Sequence, residues 1–386
     1  MSSNRPFQIS VPDAVLADIR ARVAAFPWHE MPDDGGWEYG ANLGYMKELC
    51  AYWVDHFDWR AQEAALNKFS HFVAPVEGID IHFIHEKGSG PNPVPLLISH
   101  GWPGSVAEFQ QIIEPLTHPE RHGGDPNLSF DVIAPSLPGF GYSGRPPRPY
   151  GPRKIAGLFN SLMTDVLGYD HYVAQGGDWG GAVSSWLGFD HSAACRAIHL
   201  NVLITRTPDG PQGPEEQAWS DRFDHEQIMQ EGYRTQQATK PQTLSYAMMD
   251  SPVGIAAWLV EKFNAWSDTD GDDVESVYTK DELLTGIMIY VTTRTFNTAT
   301  WIYYGRREEG GRVMSPEGLR VEVPTGCALF PKELLAWAPR SYVERIYNVT
   351  HWTEMPKGGH FAAMEEPMLL VEDIRKFVRG LNVAQS

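Results

Sequence analysis

Apolar side chains recur along this chain with two different periods, and the change from one to the other marks out its parts. Leu16, Ile19, Val23 and Phe26 return at helical spacing, and Pro12 suits a first-turn position, so residues 12–26 are read as an amphipathic helix. Residues 43–57 and 60–70 carry the same signature. At IDIHFIHEKG (79–88) the pattern switches to alternation, which predicts a strand leading into a Lys87-Gly88-Ser89-Gly90 turn. Strand and helix patterns then take turns: strands at 94–99, 130–136, 171–177 and 197–202, helices at 107–116, 153–167 and from 181. VPLLIS and FDVIAPS are apolar on both faces, as strands buried in a parallel sheet are. The alternation predicts an α/β fold, a mostly parallel sheet flanked by helices.

From about 203 to 322 the strand signal disappears. DRFDHEQIMQEGY, PVGIAAWLVEKFNAW and DELLTGIMIYVTTRTFNTATWIYY are helical stretches separated by polar loops, the pattern of an inserted helical cap. Strands resume at 325–331 and 347–355, and Pro367 opens a closing helix with Leu369, Leu370, Ile374, Phe377 and Val378 on one face. The expected division is an N-terminal helical meander at 1–75, sheet core at 76–202, cap at 203–322, and the rest of the core at 323–386.

Composition narrows the function classes. Forty-nine acidic against 31 basic residues give a formal net charge of −18, with no basic footprint for a nucleic acid or an anionic membrane. Cys50, Cys195 and Cys327 are widely spaced, which argues against a disulfide framework or a zinc site and fits a reducing, cytoplasmic setting. The first residues lack the apolar stretch of a signal peptide, and there is no apolar run long enough to span a bilayer, so no membrane anchor is expected. Thirteen Trp, 15 Tyr and 17 Phe suit either ordinary core packing or an aromatic-lined apolar pocket.

The chemistry concentrates at strand ends. Gly176-Gly177-Asp178-Trp179-Gly180-Gly181 falls between a strand and a helix and matches the nucleophile-elbow pattern, with aspartate where esterases carry serine. Glycines belong there because a Cβ beside so sharp a turn would strike a neighbouring strand or helix. His100-Gly101-Trp102-Pro103 follows an earlier strand, and its backbone can supply one oxyanion donor, the N–H of Trp102, beside that of Trp179. Glu333 and His360 follow the last two strands, so the order Asp178, Glu333, His360 is nucleophile, acid, base. Each residue taken singly has an ordinary structural explanation; their joint placement does not. Asp268-Thr269-Asp270-Gly271-Asp272-Asp273 hints at a calcium loop, but its glycine is misplaced and no matching Glu follows, so it is read as a solvated cap loop. No metal or organic cofactor is expected.

PFQISVPDAVLADIRARV through WRAQEAALNKF, HGWPGS, GGDWGG, TKPQTLSYAMMDSPVGIAAWLVEKFNAW, VPTGCALFPKE and KGGHFAAMEEP together resemble the microsomal-type epoxide hydrolases, including juvenile-hormone and fungal members, over nearly the whole chain. The resemblance implies an α/β-hydrolase fold with an N-terminal epoxide-hydrolase segment, and hydrolysis of an epoxide to a vicinal diol through an ester on Asp178. It implies a site walled by Trp102, Pro103 and Trp179, water activated by His360 and Glu333, and a homodimer. It also implies two cap tyrosines that donate to the epoxide oxygen. Tyr233 matches the first, and of the pair Tyr303-Tyr304 the second is assigned to Tyr304, with Tyr303 as the alternative, because Gly305 departs from the charged residue relatives carry there. The substrate is expected to be bulky or aryl, in detoxification or secondary metabolism. A haloalkane dehalogenase-like hydrolase and a non-catalytic binding protein of the same fold are the competing readings.

Overall fold

The computed structural model describes residues 4–32, 35–311 and 320–381, so the stretch 312–319 of the expected cap lies outside the described residues. Nine strands form one sheet: β1 (Arg5–Phe7), β2 (His71–Val76), β3 (Ile79–Glu86), β4 (Val94–Ser99), β5 (Phe130–Pro135), β6 (Tyr172–Gly176), β7 (Cys195–Leu200), β8 (Val321–Leu329) and β9 (Tyr347–Glu354), in the order β1-β2-β3-β5-β4-β6-β7-β8-β9. β1, β2, β3 and β5 pair antiparallel in turn, and β5-β4-β6-β7-β8-β9 is parallel throughout. The mostly parallel sheet is therefore present, with an antiparallel margin at one edge.

β1 and β2 are additions to the sequence reading. β1 is too short to show a period, and the helix expected at 60–70 ends at Leu66, which frees His71–Val76 to pair with β3. β8 begins at Val321 rather than 325. The strand carries Pro324 at a register irregularity against β9, where a missing N–H is tolerated. The helix expected over 153–167 is Pro152–Ser161 followed by a wider turn at 162–166.

Helices cover both faces. One face packs against Pro152–Ser161, Asp178–Asp190, the N-terminal helices and the cap; the other packs against Gln110–Thr117 and Pro367–Gly380. The cap is built mainly from helices at 213–227, 231–239, 241–248, 252–266, 280–293 and 301–308. No helix among the described residues is long and apolar enough to cross a membrane.

Candidate active site

Four strands bring the chemistry to one edge. β4, β6, β8 and β9 are parallel, so the loops after Ser99, Gly176, Leu329 and Glu354 all leave on the carboxyl side, where open α/β sheets carry their sites. Ser99 pairs with Gly176 in register, which sets the His100–Gly104 loop beside the elbow.

The elbow is strained and crowded. Asp178 has φ +45°, uncommon for a residue with a side chain, and opens the helix Asp178–Asp190. A Cβ on Gly180 would overlap the Ser99 carbonyl, one on Gly176 the backbone of Gly180, and one on Gly101 the Asp178 side chain. These are the close approaches that let the chain turn so tightly.

Asp178 meets its neighbours through both oxygens. Oδ1 accepts the Trp102 N–H at 2.7 Å, and Oδ2 lies 3.3 Å from His360 Nε2. His360 Nδ1 is 2.7 Å from Glu333 Oε1, and Leu335 N–H donates to the same Glu333 oxygen at 2.9 Å. Burial opposes a charge on His360, but the two carboxylates outweigh it and raise its pKa well above the ordinary histidine value. The resting arrangement is thus an imidazolium held between Glu333 and Asp178. Burial holds His100 neutral, with its pKa pushed down to about 4. Its Nε2 accepts the Leu137 N–H at 3.1 Å, so its Nδ1–H donates to the Gly101 carbonyl at 2.9 Å and braces the loop that carries Trp102. The peptide bond between Trp102 and Pro103 is cis.

Above Asp178 the walls are aromatic. Tyr233, on the helix 231–239, stacks on Trp102 with ring centroids 5.2 Å apart and planes 11° from parallel. Tyr303, on the helix 301–308, stands edge-on to Trp179 at 4.6 Å, to Trp102 at 5.8 Å and to Tyr233 at 5.9 Å. This corrects the assignment of Tyr304: it makes no ring contact with Trp102, Trp179 or Tyr233 and is only half-buried, whereas Tyr303 is 4 % exposed. Adjacent residues on a helix point about 100° apart, so only one of the pair can face Asp178. Gly305 sits about 200° round the helix from Tyr303, against the backbone of Tyr150 and Gly151, where any side chain would clash; with Tyr303 on the Trp179 side and Gly305 on the opposite one, Tyr304 is left on the half-buried face between them. Burial, with Tyr233 and Asp178 nearby, holds the Tyr303 hydroxyl well above the ordinary phenol pKa. Arg306 lies over the Trp179 ring at 5.1 Å and donates to the Ile204 carbonyl at 2.8 Å.

The loop that presents His360 is gripped by residues whose role the sequence did not reveal. His360 N–H donates to the Trp266 carbonyl at 2.9 Å, Gly359 and Phe361 N–H groups donate to Glu365 at 2.8 Å each, and Gly358 N–H donates to Asp268 Oδ2 at 2.9 Å. Asp268 is therefore a brace for the histidine loop and not a solvated loop residue. Its acidic neighbours gave a false lead, because a carboxylate that accepts backbone N–H groups leaves no spacing signal. Among the described residues no cluster of three or more His, Cys, Asp or Glu side chains could hold a metal ion.

The sheet, the elbow and the cap define an α/β-hydrolase-fold enzyme with an aspartate at the position of the nucleophile. Comparison with known proteins extends this. The family model for the epoxide hydrolase N terminus matches residues 4–109, and that for the alpha/beta hydrolase fold matches residues 94–248. Epoxide hydrolase 1 of Sus scrofa is 37 % identical over 404 residues, covering 97 % of this chain and 88 % of that protein. The juvenile hormone epoxide hydrolase structure from Bombyx mori matches with a TM-score of 0.89 at 27 % identity, covering 100 % of this chain and 96 % of the other. The Aspergillus niger epoxide hydrolase structure matches with a TM-score of 0.86 at 30 % identity, covering 98 % and 96 %. The chain belongs to the microsomal-type epoxide hydrolase family and is an epoxide hydrolase. The dehalogenase and non-catalytic readings are set aside.

Proposed function

We propose that Asp178 opens the epoxide by attack of Oδ2 on a ring carbon. The observation that carries this reading is the division of labour between its oxygens: Oδ1 is held by the Trp102 N–H, while Oδ2 faces His360. Tyr233 and Tyr303 donate hydrogen bonds to the ring oxygen, and one surrenders its proton as the C–O bond breaks. Asp178 is left as a hydroxyalkyl ester. Its carbonyl oxygen is Oδ1, so the Trp102 N–H, with that of Trp179 as second donor, stabilises the oxyanion formed when water attacks. His360, oriented by Glu333, takes a proton from that water. The diol leaves and the carboxylate is restored.

The walls support a bulky apolar or aryl epoxide. Trp102, Trp179, Trp266, Tyr233 and Tyr303 pack on one another as an aromatic cluster beside the elbow, and a cleft of about 300 Å³ lies against Trp179 and Tyr303, its remaining wall carrying Phe223 and Ala238 together with the charged Asp224, Glu231, Arg234 and Arg307. A detoxification or secondary-metabolite epoxide of that character fits such a lining. The test is His360→Gln. Intact-mass analysis after exposure to styrene oxide should show one added substrate mass that persists for hours; a variant that stays unmodified while the wild type turns over removes the covalent route.

A further inference from the structure

Behind Asp178 lies a second, much smaller space. It measures about 20 Å³, enough for roughly one water molecule, and its walls include Ser99, Gly101, Gly104, Glu108, Asp178 and His360. Ser99 Oγ is buried with no protein hydrogen bond, and the buried His360 Nε2 meets only Asp178 Oδ2, at 3.3 Å, a contact that esterification of Oδ2 removes. Buried polar atoms of this kind are ordinarily satisfied by a held water. Access to both the Asp178 carboxyl group and the histidine makes this space the natural seat for the water of ester hydrolysis.

Glu108 is the other acid in that wall, and nothing in the mechanism so far uses it. It arrives through a local device: Ser105 and Glu108 form a capping box at the start of the turn Val106–Phe109, with the Ser105 N–H donating to Glu108 Oε1 at 3.0 Å. A capping-box carboxylate usually sits in water. This one is turned inward, because Gly104 leaves it room: a Cβ at 104 would overlap the Glu108 carboxyl group. The Gly104 carbonyl in turn accepts the Tyr290 hydroxyl at 2.8 Å, which ties this loop to the cap.

We propose that Glu108 is a positioning residue for the second half-reaction: across the small cavity that both line, Glu108 and His360 hold the attacking water against the carboxyl carbon of Asp178. The inference rests on the covalent reading above. Water gives one proton to His360 Nε2 as its oxygen bonds to the Asp178 carbon. The ester C–O bond then breaks, and the departing diol oxygen takes that proton from His360. Glu108 exchanges no atoms; it fixes where the water's oxygen lies, and misplacement of a reacting atom by about 1 Å costs on the order of 100-fold.

The state of Glu108 supplies a signature. Burial, assisted by Asp178 and opposed by His360 and the Ser105 N–H, pushes its pKa up to about 8. The other ionisable groups that feel its charge are Tyr278 and Tyr290 of the cap, both held neutral by burial. Although the Glu108 side chain is half-buried rather than sealed from solvent, at neutral pH the resting enzyme holds it mainly as the uncharged acid, which can both donate to and accept from a water. Above that pH it becomes a carboxylate next to the oxyanion that hydrolysis must build.

The experiment is rapid-quench single turnover with styrene oxide, reading ester formation and ester hydrolysis separately by intact mass from pH 6 to 10. Glu108→Ala should leave ester formation within about 2-fold and slow hydrolysis by at least about 10-fold, so that the ester accumulates. Glu108→Gln keeps the Ser105 contact and a neutral hydrogen-bonding head. It should hydrolyse within about 3-fold of the wild type at pH 7 and lose the decline that the wild type shows around pH 8. Equal slowing of both steps in Glu108→Ala, unchanged hydrolysis in it, or an unaltered decline in Glu108→Gln each overturns the proposal. The Gln profile decides the matter if the Ala variant does not fold. His360→Gln run alongside separates the two levels: no ester there defeats the covalent reading and this inference together, whereas ester there with unaffected Glu108 variants defeats this inference alone.

Discussion

Tyr303→Phe is the substitution that most directly tests how the cap was placed over the sheet. The change removes one oxygen and keeps the ring, so the edge-on packing against Trp179 at 4.6 Å and Trp102 at 5.8 Å is retained. Stability should fall by no more than about 1 kcal/mol, the usual net worth of one hydrogen bond. Catalysis should suffer far more. A donor aimed at developing negative charge in a site closed to water is worth roughly 10²–10³ in rate when it is the sole provider. Tyr233 stands 5.9 Å away, ring to ring, and shares the task, so the expected loss in the rate of ester formation is about 10–100-fold. Tyr304→Phe, on the half-buried side of the same helix, should lose no more than about 2-fold. Because burial raises the Tyr303 pKa well above 10, the wild-type rate of ester formation should show no loss from its ionisation up to about pH 10. Stopped-flow Trp fluorescence, calibrated by quenched intact mass, reads the step for both variants. If Tyr304→Phe proved the slower enzyme, the helix register and the role given to Tyr303 would both be wrong.

Two further outcomes follow from the scaffold. Gly180→Ala should fail to fold or lose at least about 3 kcal/mol, since the new methyl group would enter the Ser99 carbonyl between two central strands; a denaturant midpoint equal to that of the wild type would refute the close packing of the elbow. Asp373 is buried and receives His199 Nε2 at 2.9 Å and His351 Nε2 at 2.8 Å, joining β7 and β9 to the closing helix. Burial opposes its charge, but those histidine contacts outweigh it and hold its pKa far below the usual carboxylate value. A depressed carboxylate contributes stability that is present above its unfolded value of about 3.9 and lost as pH falls through the folded one. Asp373→Asn should therefore cost about 3 kcal/mol at pH 7 in urea denaturation, with the difference narrowing below about pH 4; a difference independent of pH would refute the assignment.

What the sequence made legible was set by how local each signal is. The buried strands, the elbow and the order Asp178, Glu333, His360 are written in contiguous residues, and the structure places all three side chains together. β1 was missed because a three-residue strand has no period, and β2 because HFVAPV does not alternate and carries a proline. The choice between Tyr303 and Tyr304 could not be made from spacing, because both lie on one helix and the phase depends on where Gly305 seats against residues 150–151. The braces on the histidine loop are further from any pattern. Asp268 and Glu365 act through backbone N–H groups separated in sequence by up to 97 residues, and only the folded chain shows that they meet.

The resting charge pattern explains why one histidine can serve the whole proposed cycle. His360 begins as an imidazolium because the Glu333 and Asp178 carboxyl groups beside it outweigh its burial and raise its pKa. Esterification of Asp178 abolishes one of those charges, so the proton on His360 is no longer held, and in the net balance it replaces the proton that the tyrosines give to the opening epoxide. His360 is then neutral at the moment a base is needed. When hydrolysis releases Asp178 as a carboxylic acid, its proton passes to His360 and the original ion pair is restored. Glu333 Oε1 is fixed by both His360 Nδ1 and the Leu335 N–H, so the imidazole is oriented whether or not it carries the second proton. The nucleophile thus sets the protonation state of the base through its own alkylation, with 3.3 Å between Oδ2 and Nε2 as the distance over which the coupling acts.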